Sequence, residues 1–339
     1  MRLVGGLLVA GLALQATVAA CSSSSAPSSS AAKPPAYDAG GMTYDASPDS
    51  AGPGNVDSGS SPGDATSDAP GIDAAGIIAS RPYTLHVPTG YDPTKPTPLV
   101  VMFHGYSVDG PSEEAYMDLT AASDASTFLY AYGNGTVDKS GLRFWNATNA
   151  CCDLDSIPVD DVTYFDAILE DVSSKYNVDR KRIYEVGHSN GGFMGHRLAC
   201  DRASTLAAVV SLAGAQWDDP SRCNPSEPVS IVELHGDADT VVIYDGGSTT
   251  EGTYPSAPVT VNTWGAKDGC TGGLSPTGQT LDVDTTLVGN ETVVSAFGGC
   301  PAGIDVQLWR IQGGSHIPTI SHPGFAELVW GFLGAHHKP

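Results

Sequence analysis

Short apolar runs alternate with helix-like segments from about residue 81 to residue 337. Several of the runs are apolar at consecutive positions, which is typical of parallel strands buried on both faces of a sheet. In 162–176, apolar residues recur at helical spacing directly after Asp160 and Asp161, which suit the N-terminal end of a helix. This alternation predicts an α/β fold with a mostly parallel, doubly wound sheet and helices on both faces. The predicted strands are 83–87, 99–103, 128–132, 183–186, 208–212, 229–235 and 306–311, and the last predicted helix is 325–333.

Residues 22–79 differ in composition from the rest of the chain. They are mainly Ser, Ala, Pro, Gly and Asp, with Lys33 as the single basic side chain and few large apolar residues. Such a segment buries too little apolar surface to offset the conformational entropy that it would lose on ordering. We therefore predict a disordered, acidic and flexible tether at 22–79, followed by one folded domain at 80–339.

The first 21 residues have the pattern of a secretory signal peptide. Arg2 precedes an apolar run that is too short for a membrane span, and small residues follow. The segment ends in Val18-Ala19-Ala20-Cys21, which resembles the lipobox of bacterial lipoproteins, in which the cysteine becomes the lipidated first residue. We predict a lipoprotein signal at 1–21, lipidation of Cys21, and export to the outer membrane or cell surface. Secretion without an anchor is the alternative.

The chain carries 38 acidic and 16 basic side chains, which gives a formal net charge of −22. Nucleic acids and anionic membrane surfaces are bound through clustered Lys and Arg, and this composition does not supply such clusters. We expect no nucleic-acid partner, and we expect membrane contact only through the N-terminal lipid anchor.

The sequence Gly187-His188-Ser189-Asn190-Gly191 matches the pattern G-x-S-x-G. A second match, Gly59-Ser60-Ser61-Pro62-Gly63, lies in the tether, contains a proline and follows no strand. Ser189, in contrast, follows the predicted strand 183–186 and precedes a helix-like stretch, which is the strand–turn–helix context of a nucleophile elbow. We predict Ser189 as a nucleophile whose hydroxyl is exposed at a helix N-terminus.

A serine hydroxyl needs a base to take its proton and a carboxylate to orient that base. The acid is predicted just past strand 229–235, where Asp239 is the candidate and Asp237 its rival. The base is predicted just past strand 306–311, where His316 lies in a glycine-rich loop, with His322 as its rival. The chain order serine, acid, histidine is the one expected for a doubly wound sheet with a nucleophile elbow.

Two backbone N–H groups are expected to form an oxyanion hole. The predicted strand 99–103 runs into His104-Gly105-Tyr106-Ser107, a turn in the position that supplies one of them. The other comes from the residue after the nucleophile, Asn190. The side chain of His104 is interpreted as structural.

These motifs together resemble the bacterial polyhydroxybutyrate-depolymerase-type esterases and the related feruloyl and acetylxylan esterases. The resemblance implies an α/β-hydrolase fold with Ser189 as nucleophile, Asp239 as acid and His316 as base. It also implies Tyr106 and Asn190 as the oxyanion donors. The motifs that carry it are His104-Gly105-Tyr106, Trp145-Asn146-Ala147, Asp160-Asp161-Val162, Gly187-His188-Ser189-Asn190-Gly191-Gly192, His235-Gly236-Asp237-Ala238-Asp239 and Gly314-Ser315-His316.

The residues around the predicted site depart from the family pattern at one point. His316 is followed by Ile317-Pro318, where many relatives have Thr-Trp-Pro, so the acyl pocket is expected to differ. Trp145, Trp217 and Tyr106 are candidates for an aromatic wall of that pocket, and the alternative for each tryptophan is packing in the core or a loop. The polar segment 271–297 is interpreted as an insertion that covers one side of the domain.

The cysteines agree with export, because disulfides persist in oxidising compartments. Pairs like Cys200–Cys223 and Cys270–Cys300 occur in the relatives. For the adjacent cysteines, Cys151 and Cys152, three alternatives stay open: a vicinal bridge, cross-pairing and free thiols. No Cys or His stands at the spacing of a metal site, so we expect no metal and no cofactor. The pairs proximate in sequence are Cys200–Cys223 and Cys270–Cys300, and the adjacent residues are Cys151 and Cys152.

These expectations describe an exported serine carboxylesterase that forms an acyl-enzyme. The expected partner is an ester substrate, polymeric or small: polyhydroxybutyrate, or a feruloyl or acetyl ester of a plant polysaccharide. Two alternatives stay open. One is a serine peptidase on the same fold, and the other is a non-catalytic surface-binding lipoprotein.

Overall fold

The computed structural model describes residues 73–339, so the predicted signal peptide, Cys21 and almost all of the tether lie outside the described residues. The folded domain begins ahead of the predicted boundary at residue 80, because a helix, α1 (Ala74–Ser80), precedes it. Asp73 caps this helix by accepting a hydrogen bond from the Gly76 N–H at 2.9 Å. Ile77 and Ile78 pack against the core, and these two apolar residues explain why this part of the predicted tether is ordered.

One large sheet of nine strands organises the domain. The strands of the described residues are β1 (Tyr83–His86), β2 (Thr97–Phe103), β3 (Leu129–Gly133), β4 (Thr136–Val137), β5 (Arg143–Phe144), β6 (Val178–His188), β7 (Ala208–Leu212), β8 (Ser230–Gly236), β9 (Gly247–Ser248), β10 (Thr253–Tyr254), β11 (Leu274–Leu281), β12 (Thr292–Phe297) and β13 (Val306–Ile311). The large sheet has the order β1-β3-β2-β6-β7-β8-β13-β12-β11, and β4-β5 and β10-β9 form two-stranded sheets. Strands β3, β2, β6, β7, β8 and β13 are parallel to their neighbours within this block, whereas β1, β12 and β11 are antiparallel additions at the edges. Each strand predicted from the sequence is present, and the prediction of a mostly parallel sheet is confirmed.

The remaining helices alternate with the strands along the chain. They are α2 (Gly110–Met117), α3 (Leu119–Ser126), α4 (Asp161–Lys175), α5 (Asn190–Asp201), α6 (Ala257–Lys267) and α7 (Gly324–Leu333). Asp160 caps α4 as predicted, since its carboxylate accepts the N–H groups of Val162 and Thr163 at 3.1 Å each. Asp161 instead pairs with Arg81 at 2.6 Å. None of the helices in 73–339 combines the length and the apolar character that crossing a bilayer requires.

Two apolar clusters lie on opposite faces of the sheet. Alternate residues of a strand point to opposite faces, so Val101 and Phe103 of β2 join one cluster while Val100 and Met102 join the other. The first cluster contains side chains of α4, α5 and α6, and the second contains side chains of α2, α3 and α7. The prediction of helices on both faces is confirmed.

The segment 271–297 is a sheet edge and not a covering insertion. Strands β11 and β12 form an antiparallel hairpin that continues the sheet beyond β13. Six of the eight residues of β11 are exposed, and only Leu281 is buried. This exposure accounts for the polar composition that concealed the strand in the sequence.

Candidate active site

Ser189 occupies a sharp turn between β6 and α5. Its backbone has φ 54° and ψ −118°, a conformation that few residues other than glycine adopt. The turn is held by a hydrogen bond of 2.7 Å from the Ser189 N–H to the Leu212 carbonyl. A Cβ atom on Gly191 would collide with the Phe103 carbonyl oxygen, and one on Gly187 would collide with Gly191. The glycines of the motif are therefore needed so that the helix start can approach β2 and β6.

Asp239, His316 and Ser189 form one hydrogen-bonded line. His316 Nε2 lies 2.9 Å from Ser189 Oγ, and His316 Nδ1 lies 2.7 Å from Asp239 Oδ2. The other oxygen of Asp239 accepts the N–H groups of Val241 and Val242 at 2.7 and 3.0 Å. Burial opposes ionisation of Asp239, but the nearby ring of His235 and the hydrogen bond from His316 hold its pKa well below the usual value. The residues predicted separately from three strand ends thus meet at the carboxyl edge of the sheet.

The rival acid and the rival base lie in other interactions. Asp237 pairs with Arg310 at 2.7 Å and accepts the Gly313 N–H at 2.6 Å, so it shapes the loop that leads to His316. His322 is 43% exposed and faces Asp118 at 3.5 Å. Neither side chain has a hydrogen bond to the Ser189–His316 pair.

The turn after β2 and the start of α5 present the expected oxyanion donors. Within residues 73–339, the backbone N–H groups of Tyr106 and Asn190 donate no hydrogen bond to other protein groups. The hydroxyl of Tyr106 donates its hydrogen bond to Asp138 at 2.7 Å, so the backbone N–H of Tyr106, and not its side chain, is the expected oxyanion donor. The Ser107 N–H donates to the Arg143 carbonyl at 2.8 Å and fixes the turn against β5.

The side chain of Asn190 has a separate structural task. Its Oδ1 accepts the Trp145 N–H at 2.7 Å, and its Nδ2 donates to the Trp145 carbonyl at 2.9 Å. This two-point contact fixes the loop after β5 to the first residue of α5. Both polar atoms of the Asn190 side chain are thus used within the protein, whereas its backbone N–H has no acceptor among residues 73–339.

Trp145 does not line a substrate pocket. The residue is 0% exposed, its indole N–H donates to the His104 carbonyl at 2.9 Å, and its ring packs edge-on against Phe103. The prediction that Trp145 lines the substrate pocket is therefore wrong, because its side chain lies in the core beneath the site. Trp217 is 7% exposed and lines a polar cavity of about 400 Å³. The other lining residues are Asn146, Ala147, Thr148, Asn149, Arg197, Asp201 and Arg222.

Two buried histidine–glutamate pairs next to the site were not predicted from the sequence. His188 faces Glu113 at 3.3 Å, and His235 faces Glu233 at 2.9 Å. A carboxylate inside the apolar strand β8 was the signal available in the sequence for the second pair, since buried charges are normally paired. His104 is structural as expected, because its Nε2 accepts the Gly135 N–H at 2.9 Å.

The six cysteines of residues 73–339 form three disulfides. The proximate pairs Cys200–Cys223 and Cys270–Cys300 are both joined, and the adjacent residues Cys151 and Cys152 are joined to each other. The vicinal alternative is thus the one that the structure contains. In residues 73–339, no group of three or more His, Cys, Asp or Glu side chains has the arrangement of a metal site.

Comparison with known proteins identifies similar esterases. The chain is 33% identical over 187 residues to feruloyl esterase C of Emericella nidulans, covering 53% of this chain and 62% of that protein. It is 27% identical over 261 residues to feruloyl esterase B of Piromyces equi, covering 75% of this chain and 45% of that protein. The chain therefore spans about half the length of the curated relatives it matches. No protein-family model matches the chain.

Among solved structures, an acetyl xylan esterase from Aspergillus awamori superposes with a TM-score of 0.53. It is 16% identical in sequence, and the match covers 75% of this chain and 93% of that one. At this identity the likeness concerns the fold, which agrees with the sheet order and the turn at Ser189. The chain has the α/β-hydrolase fold, and its resemblance to feruloyl esterases is confirmed.

Proposed function

We propose that this chain is an exported serine carboxylesterase in which Ser189 is the nucleophile, His316 the base and Asp239 the acid. The observation that carries the proposal is the hydrogen-bonded line Asp239–His316–Ser189, with 2.7 and 2.9 Å between successive partners. A serine in a strained turn, a histidine on its hydroxyl and a buried carboxylate on the far ring nitrogen are the groups that acyl transfer requires.

Acylation follows from the direction of these hydrogen bonds. Asp239 accepts the Nδ1–H of His316, which leaves the Nε2 lone pair directed at Ser189 Oγ. The Oγ atom attacks the ester carbonyl carbon while its proton moves to Nε2. The N–H groups of Tyr106 and Asn190 then stabilise the negative oxygen of the tetrahedral intermediate. When the intermediate collapses, the carbon–alkoxy bond breaks and Nε2 returns the proton to the leaving alcohol.

Deacylation repeats the same steps with water. His316 removes a proton from a water molecule, whose oxygen attacks the acyl carbon of the Ser189 ester. The second tetrahedral intermediate releases the carboxylic acid, and the proton on Nε2 returns to Ser189 Oγ. The buried carboxylate of Asp239 stabilises the imidazolium that forms in each half of the cycle.

The substrate class is proposed from the relatives and from the loop next to the base. Relatives named feruloyl esterases support an ester of an aromatic acid on a plant polysaccharide. An acetyl ester is supported by the motif resemblance. A polyhydroxybutyrate substrate is supported by the motif resemblance alone. Ile317, which follows His316, is 61% exposed and offers an apolar surface next to the base.

Export is part of the same proposal. It is supported by the signal pattern at 1–21 and by three disulfides in the domain. We further propose lipidation of Cys21, with the tether allowing the domain to reach polymeric esters outside the cell. Mass spectrometry of the mature protein tests this, because an unmodified N-terminus that does not begin at Cys21 would contradict lipidation.

The decisive experiment compares the oxidised full chain with its Ser189→Ala variant in hydrolysis of p-nitrophenyl acetate and butyrate. We expect Ser189→Ala to lose at least about three orders of magnitude in kcat with an unchanged circular dichroism spectrum. Ser61→Ala, in the other G-x-S-x-G match, is the matched control and should keep full activity. Equal rates in Ser189→Ala and wild type would overturn the assignment.

A second substrate panel separates the proposed activity from the alternatives. Methyl ferulate, acetylated xylan and polyhydroxybutyrate test the ester class, and p-nitroanilide peptides test amide hydrolysis. Faster turnover of the anilides than of every ester would indicate a peptidase. No turnover of any ester or amide by the folded wild type would favour a binding role.

A further inference from the structure

A line of buried polar contacts leads from Asp239, the proposed acid, into the core. Trp264 Nε1–H donates to His196 Nδ1 at 3.0 Å, and His196 Nε2 lies 2.9 Å from Glu233 Oε2. The other oxygen of Glu233 lies 2.9 Å from His235 Nδ1. His235 Nε2 in turn lies 3.5 Å from Asp239 Oδ2, the oxygen that holds His316. The members come from α5, α6, β8 and the loop after β8, and each is buried.

The partners fix where the protons lie at one end of this line. An indole N–H can only donate, so His196 Nδ1 is an acceptor and its proton is on Nε2, directed at Glu233. Glu233 therefore receives one N–H from His196. Its second oxygen is left to face His235.

The ring of His235 faces acceptors with both nitrogens. Its Nε2 contacts the Val242 carbonyl at 2.8 Å, so this nitrogen carries a proton. Its Nδ1 faces the carboxylate of Glu233 at 2.9 Å. Burial opposes charging, but the nearby carboxylates of Asp239 and Glu233 raise the pKa of His235 to about 9. The pKa of Glu233 is lowered despite its burial, because His196 and His235 hydrogen-bond to it.

The other charged and titratable groups near His235 do not cancel this arrangement. Tyr244 contacts the imidazole edge-on, with ring centroids 5.7 Å apart, and the guanidinium of Arg310 lies over the ring of Tyr244. Arg310 is itself paired with Asp237 at 2.7 Å. The charges in direct contact with His235 are thus Glu233 on one side and Asp239 on the other.

We propose that His235 is a positioning residue for the triad, a buried imidazolium held by Glu233 that moderates the negative charge which Asp239 presents to His316. The inference rests on the proposed serine-hydrolase function. The positive ring of His235 lies between the two carboxylates and is closer to Asp239 than Glu233 is. Its charge therefore affects Asp239 more strongly than the charge of Glu233 does. A weaker field from Asp239 makes His316 easier to deprotonate, so the base stays active to lower pH.

The test removes both charges and keeps the hydrogen bonds. In the double variant Glu233→Gln/His235→Gln, the Gln at 235 can still donate to the Val242 carbonyl, and the Gln at 233 can still accept from His196. The matched control is His86→Gln/Asp124→Asn, which removes a histidine–aspartate pair at 3.2 Å at the end of the edge strand β1. The measurement is kcat/KM for p-nitrophenyl butyrate against pH, whose acidic limb reports protonation of the essential base.

We expect the midpoint of the acidic limb to move to higher pH by about 0.5–1 unit in the double variant. The control should keep the wild-type midpoint. A rate loss with an unmoved midpoint would overturn the proposal, because a merely structural role predicts that result. A shift to lower pH would overturn it as well.

A second measurement decides the proposal if the double variant does not fold or the wild type has no esterase activity. Nitrogen NMR of the uniformly labelled wild-type chain at pH 7.5 reports the protonation of each imidazole nitrogen, with the His235 signals assigned by His235→Gln. We expect His235 with a proton on both nitrogens and His196 with a proton on one. A neutral His235 ring would overturn the proposal, whatever the substrate of the chain.

Discussion

The ring of His188 bonds to the backbone of His316, because its Nε2–H donates to the His316 carbonyl at 3.0 Å. On the other side of the ring, Nδ1 lies 3.3 Å from one oxygen of Glu113. The second oxygen of Glu113 accepts the Gly105 N–H at 2.9 Å. Burial opposes charging of His188, but hydrogen bonding and the charge of Glu113 raise its pKa. Glu113 and His188 thus link the turn after β2 to the loop that carries His316, the proposed base.

Removal of this link should slow catalysis more than it weakens binding. We expect His188→Ala to lower kcat for p-nitrophenyl butyrate about 10–100-fold with KM changed only a few-fold, because a displacement near 1 Å of a reacting group costs this much. His188→Gln keeps a donor for the His316 carbonyl and should lose less. Steady-state kinetics at pH 8 provide the measurement.

The control for this prediction is the rival histidine. His322 is 43% exposed, and its pairing with Asp118 at 3.5 Å is of the weak surface kind. We expect His322→Ala to keep kcat within about twofold of wild type. The positioning role of His188 would be contradicted if His188→Ala behaved in the same way.

The two aspartates after β8 should respond differently to the same substitution. Asp239→Asn should lower kcat by about 10³–10⁴, because the amide no longer holds the Nδ1–H of His316. Asp237→Asn loses an ion pair with Arg310 that is largely exposed, and a change of only a few-fold is expected. The comparison uses kcat at saturating ester, and similar losses in the two variants would contradict the assignment of the acid.

The meeting of Ser189, Asp239 and His316 at one place could be predicted from the sequence for a topological reason. Ser189, Asp239 and His316 each follow a strand by a few residues, and parallel strands bring their carboxyl ends to one edge of a sheet. Strand identity was readable because the buried strands are apolar at consecutive positions. Chain order and strand ends were therefore enough to bring the three residues together.

The side chains around the triad could not be predicted in this way. Trp145 follows a short strand outside the main sheet, and nothing local decides whether its indole faces the core or a substrate. The partners His196 and Glu233 come from α5 and β8, so only the packing of a helix on the sheet reveals the pair. Edge strand β11 lacks an apolar pattern, because most of its residues face solvent.

The side chain of Asn190 should matter for stability independently of its backbone. Asn190→Ala leaves the buried N–H and carbonyl of Trp145 without their partners, which should lower the free energy of unfolding by about 2–4 kcal/mol. The control Asn262→Ala removes an exposed hydrogen bond to the Pro258 carbonyl and should cost less than about 0.5 kcal/mol. Urea unfolding of both variants provides the values, and equal costs would contradict the two-point contact.

The carboxyl of Asp268 should make the stability of the domain fall as the pH rises. One of its oxygens accepts the Val229 N–H at 3.1 Å, and the other has no partner among the described residues. Burial raises the pKa of Asp268 to about 7, although the Val229 N–H and Lys338 act in the opposite direction. The unfolded chain releases this proton near pH 4, so between about pH 4 and 7 the folded state binds more protons than the unfolded state.

Replacement of Asp268 by Asn removes this ionisation and keeps an acceptor for Val229. The free energy of unfolding of Asp268→Asn minus that of wild type should increase by up to about 1.4 kcal/mol per pH unit from pH 5 to 7. Above pH 7 the difference should level off, because the folded carboxyl is then ionised too. Urea unfolding at pH 5, 6, 7 and 8 measures the difference. A difference that stays constant over this range would mean that Asp268 is already ionised in the folded domain at pH 5.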